Sequence, residues 1–172
     1  GEGDNLPGLV VDVYGRTAVV QAHSVGMHCN RMDIAQAIVD VLGDNILSVY
    51  YKSETTLPYK AQADNSTGYI IGGHLNDVPL EYGLKLPVDW INGQKTGLFI
   101  DQRENRALLE KYSNGRSVLN MFCYTGGFSL AALRGGAKLV HSVDSSAKAT
   151  ELTIKGVKDN FPDDDRHKAF AE

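Results

Sequence analysis

The sequence contains little of what several classes of protein require. Only two cysteines, Cys29 and Cys123, occur in 172 residues, which is too few for a disulfide framework, and neither belongs to a set with metal-ligand spacing. We therefore expect free, buried thiols and no metal. No apolar run approaches the roughly 20 residues that cross a bilayer, and the N-terminus lacks the apolar stretch of a secretory signal. These absences predict no membrane association and a cytoplasmic location.

A basic excess is also missing. The formal net charge is −4, and the residues up to Lys95 carry all of the acidic excess. Nucleic-acid-binding domains gain much of their affinity by neutralising phosphates with basic residues. This acidic segment alone therefore does not resemble an RNA-binding domain. With 42% hydrophobic and 22% charged residues, the composition is that of a globular protein that can bury one good core or two small ones.

The first half of the chain is predicted to be a small α+β domain over residues 1–90. Two β-rich runs, residues 9–14 and 17–22, are separated by turn residues and predict a hairpin. Apolar residues at helical spacing predict a helix over residues 31–42, with Gly43 as its C-terminal cap. Three further strands are predicted, over residues 46–51, 68–73 and 78–86.

The second half, residues 91–172, alternates helices and strands in the manner of a parallel α/β sheet. The predicted elements are a helix over 103–112, a strand over 117–122, a helix over 126–133, a strand over 139–143 and a helix over 145–160 capped by Ser145 or Ser146. This order is half of a doubly wound, Rossmann-like sheet. The chain is expected to end just after a helix, with two parallel strands and an open edge through which it would self-associate.

A glycine turn and an acidic residue suggest a ligand site in this half. Gly126 and Gly127 lie between a strand and a helix, where backbone can approach a ligand closely. Asp144 ends the next strand, about 20 residues further on, and is placed to accept hydrogen bonds from ribose hydroxyls. Spacing alone leaves two alternatives open: an adenosine-type ligand, or an ordinary β-α-β unit with a packing glycine and a capping aspartate. The dinucleotide fingerprint GxGxxG is absent, which disfavours a nicotinamide-dependent oxidoreductase.

Four motifs occur in register along the chain. They are QKTGLFIDQRENR at residues 94–106, NMFCYTGGFS at 120–129, GGA at 135–137 and SVDSS at 142–146. In this order and spacing they resemble the bacterial large-subunit ribosomal RNA cytosine-5 methyltransferase family, whose members share QKTGxFxDQRxNR, LxxFxYTGGFS, GGA and VDxS. The opening LPGLVVDVY also resembles the family's LPGLxxDxY. The resemblance covers nearly the whole chain and is loose over residues 52–80.

The resemblance implies a class I methyltransferase domain, truncated here, that binds S-adenosylmethionine. Residues of the family's cofactor loop correspond to Phe122, Tyr124, Thr125, Gly126 and Gly127, which would surround the methionine part of the cofactor. Asp144 would hold the ribose, and Ser145 would lie beside the adenine. A preceding segment, Asp101, Gln102 and Arg103, would run along the cofactor pocket. For Asp101 a helix cap, and for Arg103 a surface ion pair, are the alternative interpretations.

The same resemblance implies methyl transfer to RNA, at cytosine C5 of large-subunit ribosomal RNA. Family members also carry an N-terminal RNA-binding domain of the PUA type, a DPP motif and a nucleophilic cysteine, none of which is present here. The chain is therefore expected to be an inactive fragment whose catalytic residues are unknown. Cys123 is expected to pack as a small hydrophobic residue rather than to act as the nucleophile. The alternative function is a non-catalytic RNA- or protein-binding module with a remnant half-sheet, which the intact cofactor loop disfavours.

Overall fold

The computed structural model describes residues 1–58 and 67–172 of the chain. The chain divides into two compact units, one formed by Gly1–Asp77 with Asp89–Gly97 and the other by Val78–Val88 with Leu98–Glu172. The single boundary placed at residue 90 from the sequence stays a prediction. Among the described residues, no helix combines the length and the apolar character that a membrane span requires.

The first unit contains a four-stranded sheet with two helices. Its strands are β1 (Leu9–Tyr14), β2 (Thr17–Ala22), β3 (Ser48–Tyr51) and β4 (Gly68–Ile71), and its helices are α1 (Val25–Cys29) and α2 (Arg31–Leu42). The strand order is β1-β2-β3-β4. β1 and β2 are antiparallel, β2 and β3 are parallel, and β3 and β4 are antiparallel. The predicted β1–β2 hairpin and the predicted bounds of α2 are confirmed.

The core of this unit lies between the sheet and α2. Every residue of β2 is buried, and Ala35 of α2 packs into the same cluster as Val20, Val49 and Tyr51. The helices occupy the connection between β2 and β3 because parallel neighbours need a crossover rather than a tight turn. Gly43 ends α2 at φ 55°, as its predicted capping role requires.

The second unit begins with a hairpin where the sequence predicts one strand. Its strands are β5 (Leu80–Glu81) and β6 (Leu84–Lys85), which pair antiparallel. Tyr82 and Gly83 have φ values of 48° and 85°, so both central residues are in the left-handed region of a type I′ turn. The prediction of a single strand over residues 78–86 is therefore wrong, because Tyr82 and Gly83 reverse the chain in the middle of this segment.

The rest of the second unit is a three-stranded parallel sheet with three helices. Its strands are β7 (Ser117–Met121), β8 (Leu139–Asp144) and β9 (His167–Ala171), and its helices are α3 (Arg103–Tyr112), α4 (Gly127–Arg134) and α5 (Ala147–Asn160). The order is β7-β8-β9, with every pair parallel. This alternation of parallel strands and helices agrees with the predicted half of a doubly wound, Rossmann-like sheet. Of the two candidate caps, Ser146 is the N-cap of α5 and accepts a hydrogen bond from the Ala149 N–H at 3.3 Å.

The third strand corrects the prediction that the chain ends just after a helix with two parallel strands. β9 pairs with β8 from His167 opposite Val140 to Ala171 opposite Asp144. Its sequence, HKAFA, is short and has only a weak apolar alternation, so the pattern did not separate it from a tail. The pairing with β8 supplies the stabilisation that the local sequence does not.

A chain of hydrogen bonds joins the three strands below α4. The Asn120 amide donates to Ser129 Oγ at 2.9 Å. Ser129 Oγ and Ser142 Oγ are 2.6 Å apart, and Ser142 Oγ is 2.8 Å from His167 Nε2. Both serines are fully buried, and burial lowers the pKa of His167. The network fixes the register of the sheet on which the loop after β7 is built.

The close approach of α3 and α4 generates a stability prediction. A Cβ atom at Gly135, the C-cap of α4, would lie 2.1 Å from the Glu110 carbonyl oxygen. Backbone must therefore move in Gly135→Ala, and we expect the free energy of unfolding to fall by about 1–3 kcal/mol in urea denaturation. Gly26→Ala is the control, because a Cβ at Gly26 meets nothing within 4 Å. Equal stabilities of the two variants would contradict the packing described here.

Candidate functional site

The loop between β7 and α4 has an unusual backbone. Phe122 and Tyr124 have φ values of 56° and 49°, and Gly126 has a φ value of 80°. Two non-glycine residues in the left-handed region cost on the order of 1–3 kcal/mol each, and such residues persist only where their surroundings determine the conformation. Phe122 is also 86% exposed, whereas Cys123 beside it is 5% exposed. The loop therefore holds an aromatic side chain in solvent at an energetic cost.

Two neighbouring elements hold this loop in place. Asp144, at the end of β8, accepts the Tyr124 N–H through Oδ2 at 2.8 Å, and its Oδ1 accepts the Ser146 N–H at 3.0 Å. Thr153 of α5 donates from its hydroxyl to the Tyr124 carbonyl at 3.0 Å. A Cβ at Gly126 would lie 2.5 Å from Thr153 Cγ2. Glycine is therefore required at position 126 by both its φ value and the contact with α5.

The loop leads directly into the N-terminus of α4. Gly126 is the N-cap of this helix and has no side chain to cap it. The first-turn N–H groups are therefore left to water or to an electronegative ligand atom. The close approach of this backbone to a ligand, which the glycine turn suggests, stays a prediction.

A pocket of about 120 Å³ lies against the loop. Its lining residues come from the segment before α3, from α3, from the loop and from the start of α4: Leu98, Phe99, Gln102, Arg106, Phe122, Cys123, Tyr124, Thr125, Gly127 and Phe128. Complete small-molecule sites usually measure roughly 300–1,000 Å³. The pocket therefore has room for one part of a cofactor-sized ligand.

Five of the ten sequence-predicted site residues meet in this pocket: Gln102, Phe122, Tyr124, Thr125 and Gly127. Gly126 ends the loop, and Asp144 holds the loop through the Tyr124 N–H, as described above. Ser145 follows Asp144 and is exposed. The role of each of these residues toward a cofactor stays a prediction.

Asp101 and Arg103 lie outside the lining of this pocket. Asp101 is exposed and accepts a hydrogen bond from the Gln102 side chain at 2.9 Å. The Arg103 guanidinium is 5.9 Å from the centroid of the Tyr82 ring and 3.5 Å from the Glu104 carboxylate. This arrangement also fits the surface ion pair considered for Arg103.

Arg106 lines the pocket, although the sequence did not single it out. It is 3% exposed, and its Nε and Nη2 donate to the two carboxylate oxygens of Glu81 at 2.7 and 2.6 Å. Its Nη1 donates to the Phe99 carbonyl at 3.0 Å, and the Phe99 ring meets Tyr124 edge-on with centroids 5.7 Å apart. The only sequence signal was its place as the last residue of the QKTGLFIDQRENR motif.

The two thiols differ in environment. Cys123 is buried, and burial raises the pKa of its thiol, so the expected packing role is confirmed for this residue. Cys29 is free but exposed, and its predicted burial is wrong because the short helix α1 ends there on the solvent side. No group of three or more His, Cys, Asp or Glu side chains is arranged for a metal ion within the described ranges.

Comparison with known proteins identifies related chains. A family model described as S-adenosylmethionine-dependent methyltransferase matches residues 46–163. The ribosomal RNA large subunit methyltransferase I of Aeromonas hydrophila is 40% identical over 162 residues, which cover 92% of this chain and 40% of the relative. The chain thus spans about two fifths of the length of this curated relative.

Solved structures have the same fold. A putative SAM-dependent methyltransferase from Streptococcus mutans matches with a TM-score of 0.83 and 29% identity, over 98% of this chain and 43% of that one. A putative methyltransferase complexed with SAH matches with a TM-score of 0.82 and 29% identity. The match covers 98% of this chain and 42% of that one. The α/β architecture is therefore Rossmann-like and of the methyltransferase type.

These matches correct the narrower family assignment made from the motifs. The matching family is described only by its cofactor, and the relatives are named for the large ribosomal subunit. Neither description specifies cytosine, the C5 position or a PUA domain, so assignment to the PUA-containing cytosine-5 family does not stand. The family model covers well over half of the chain, and the chain belongs to the S-adenosylmethionine-dependent methyltransferase family.

Proposed function

We propose that this chain binds S-adenosylmethionine at the loop between β7 and α4, and that it is the cofactor-binding part of an enzyme that methylates large-subunit ribosomal RNA. The observation that carries the proposal is the strained loop with its solvent-exposed Phe122. Strain of this kind is typical of ligand sites, where the bound molecule uses the conformation. A half-sheet that no longer binds a ligand would gain nothing from a strained loop. The strained loop therefore favours cofactor binding over the alternative of a non-catalytic binding module.

The geometry of the loop fits the methionine part of the cofactor. Tyr124, Thr125 and Gly127 line the 120 Å³ pocket, and the open N-terminus of α4 favours an electronegative group such as a carboxylate. Gln102, from the segment before α3, adds an amide to the same pocket. Phe122 would lose its exposure to solvent when the cofactor lies over it, which is a favourable burial of apolar surface.

Asp144 fits the ribose. Each of its carboxylate oxygens accepts one backbone N–H, and each keeps a further lone pair for a ribose hydroxyl. Ser145 is exposed beside it and would face the adenine. Asp101 and Arg103 would meet the ligand only at the outer edge of this site.

Bound S-adenosylmethionine would supply a methyl group on a sulfonium sulfur. The residues around the pocket would bind and orient the cofactor, and the residue that acts on the RNA is not among them. The ribosomal RNA target is supported by the name of the relatives. We also propose a cytoplasmic location. We further propose self-association through the outer edges of β7 and β9, which pair with no other strand among the described residues.

Calorimetric titration of S-adenosylhomocysteine into the chain tests the site. We expect saturable binding by the wild type and a loss of roughly 100-fold or more in affinity in Asp144→Ala, because both the ribose contact and the support of Tyr124 are removed. Asp159→Ala is the matched control, since Asp159 lies on α5 and pairs with Lys155. NAD should give no heat of binding, and an absence of binding by the wild type would overturn the proposal.

The raised pKa of the Cys123 thiol generates a separate prediction. A raised pKa means that the thiolate is scarce at neutral pH, and only the thiolate reacts with iodoacetamide. We therefore expect mass spectrometry at pH 7.5 to show rapid alkylation of the exposed Cys29 and slow alkylation of Cys123. In Cys29→Ser the rapid phase should vanish. Rapid modification of Cys123 in that variant would revive its candidacy as a nucleophile.

A further inference from the structure

The cofactor pocket has one charged side chain in its lining. Of the ten described residues that line it, only Arg106 carries a full charge at neutral pH. Arg106 is 3% exposed, so water screens its guanidinium little. It lies between the pocket and hairpin β5–β6.

Glu81 neutralises this cation. The ion pair is bidentate, with distances of 2.7 and 2.6 Å between the Arg106 nitrogens and the two carboxylate oxygens. The two side chains are 4% and 11% exposed. Charge-assisted pairs of this geometry are the strong ones among protein hydrogen bonds. The pocket therefore faces a guanidinium whose charge is balanced by a largely buried carboxylate.

The charge of the ligand makes this balance consequential. S-adenosylmethionine carries a positive sulfonium, whereas S-adenosylhomocysteine has a neutral thioether at the same position. An unbalanced guanidinium beside the pocket would repel the first ligand and leave the second almost unaffected. Two unit charges within about 10 Å, at an effective dielectric constant of about 20, change an affinity roughly tenfold.

We propose that Glu81 is a specificity-determining residue that balances the charge of Arg106, so that the pocket accepts the sulfonium form of the cofactor. The inference rests on the proposed binding of S-adenosylmethionine in this pocket. Glu81 itself does not line the pocket and acts through Arg106. Hairpin β5–β6 thereby contributes to ligand choice from outside the site.

The competing interpretation is that the pair only fixes the structure around the pocket. Arg106 also holds the Phe99 carbonyl at 3.0 Å, and the Phe99 ring contacts Tyr124. A loss of this support would lower the affinity for both ligands by the same factor. The ratio of the two affinities therefore separates a role in charge from a role in structure.

The test is to titrate S-adenosylmethionine and S-adenosylhomocysteine separately into the wild-type chain and into Glu81→Gln. We expect the variant to lose roughly tenfold more affinity for S-adenosylmethionine than for S-adenosylhomocysteine. Glu110→Gln is the matched control. It removes the carboxylate that pairs with Arg134, and neither Glu110 nor Arg134 lines the pocket. In this control the ratio of the two affinities should stay within about twofold of the wild-type ratio.

A second variant covers the case in which Glu81→Gln does not fold. The double variant Glu81→Gln/Arg106→Gln replaces the buried pair with neutral side chains, a change that proteins often tolerate. Its affinity ratio should return to the wild-type value. An unchanged ratio in Glu81→Gln, or a double variant whose ratio is shifted toward the thioether relative to the wild type, would overturn the inference while leaving cofactor binding intact. Absence of binding by the wild type would instead overturn the proposed function.

Discussion

The Asp144 carboxylate holds the strained loop on which the site is built. Its hydrogen bond to the Tyr124 N–H fixes a residue whose φ value of 49° is unfavourable for any side chain. Thr153 donates a hydrogen bond to the carbonyl of the same residue. With both contacts made, Phe122 points into solvent and the first turn of α4 stays open. The acidic residue thus shapes the loop as well as offering acceptors to a ribose.

The position of Asp144 follows from the topology. Parallel strands β7 and β8 end at the same edge of the sheet, so the loop after one meets the residue that ends the other. The hydrogen bonds that run from Asn120 of β7 through Ser129 and Ser142 to His167 help to hold the register of the sheet. The Glu81–Arg106 pair ties hairpin β5–β6 to α3. Because Arg106 lines the pocket, this ion pair joins the hairpin to the wall of the site.

Local patterns predicted most of this structure. The apolar spacing of residues 31–42 fixed α2 because a single helix face carries the signal, and the four motifs located the loop and Asp144. The β5–β6 hairpin was missed because a Tyr-Gly turn requires an unfavourable φ at tyrosine, here stabilised by the Arg134 bond to its carbonyl. Strand β9 depends on pairing with β8 rather than on its own sequence. Arg106 and Glu81 are 25 residues apart, so no local pattern reveals that they meet.

The most direct measurement of the central claim is a crystal structure of the chain with S-adenosylhomocysteine. The account predicts ribose hydroxyls within hydrogen-bonding distance of the Asp144 carboxylate, the Tyr124 N–H still bound to the same carboxylate, and Phe122 covered by the ligand. A ligand bound elsewhere, or one that leaves Phe122 exposed and Asp144 without a ribose contact, would contradict it.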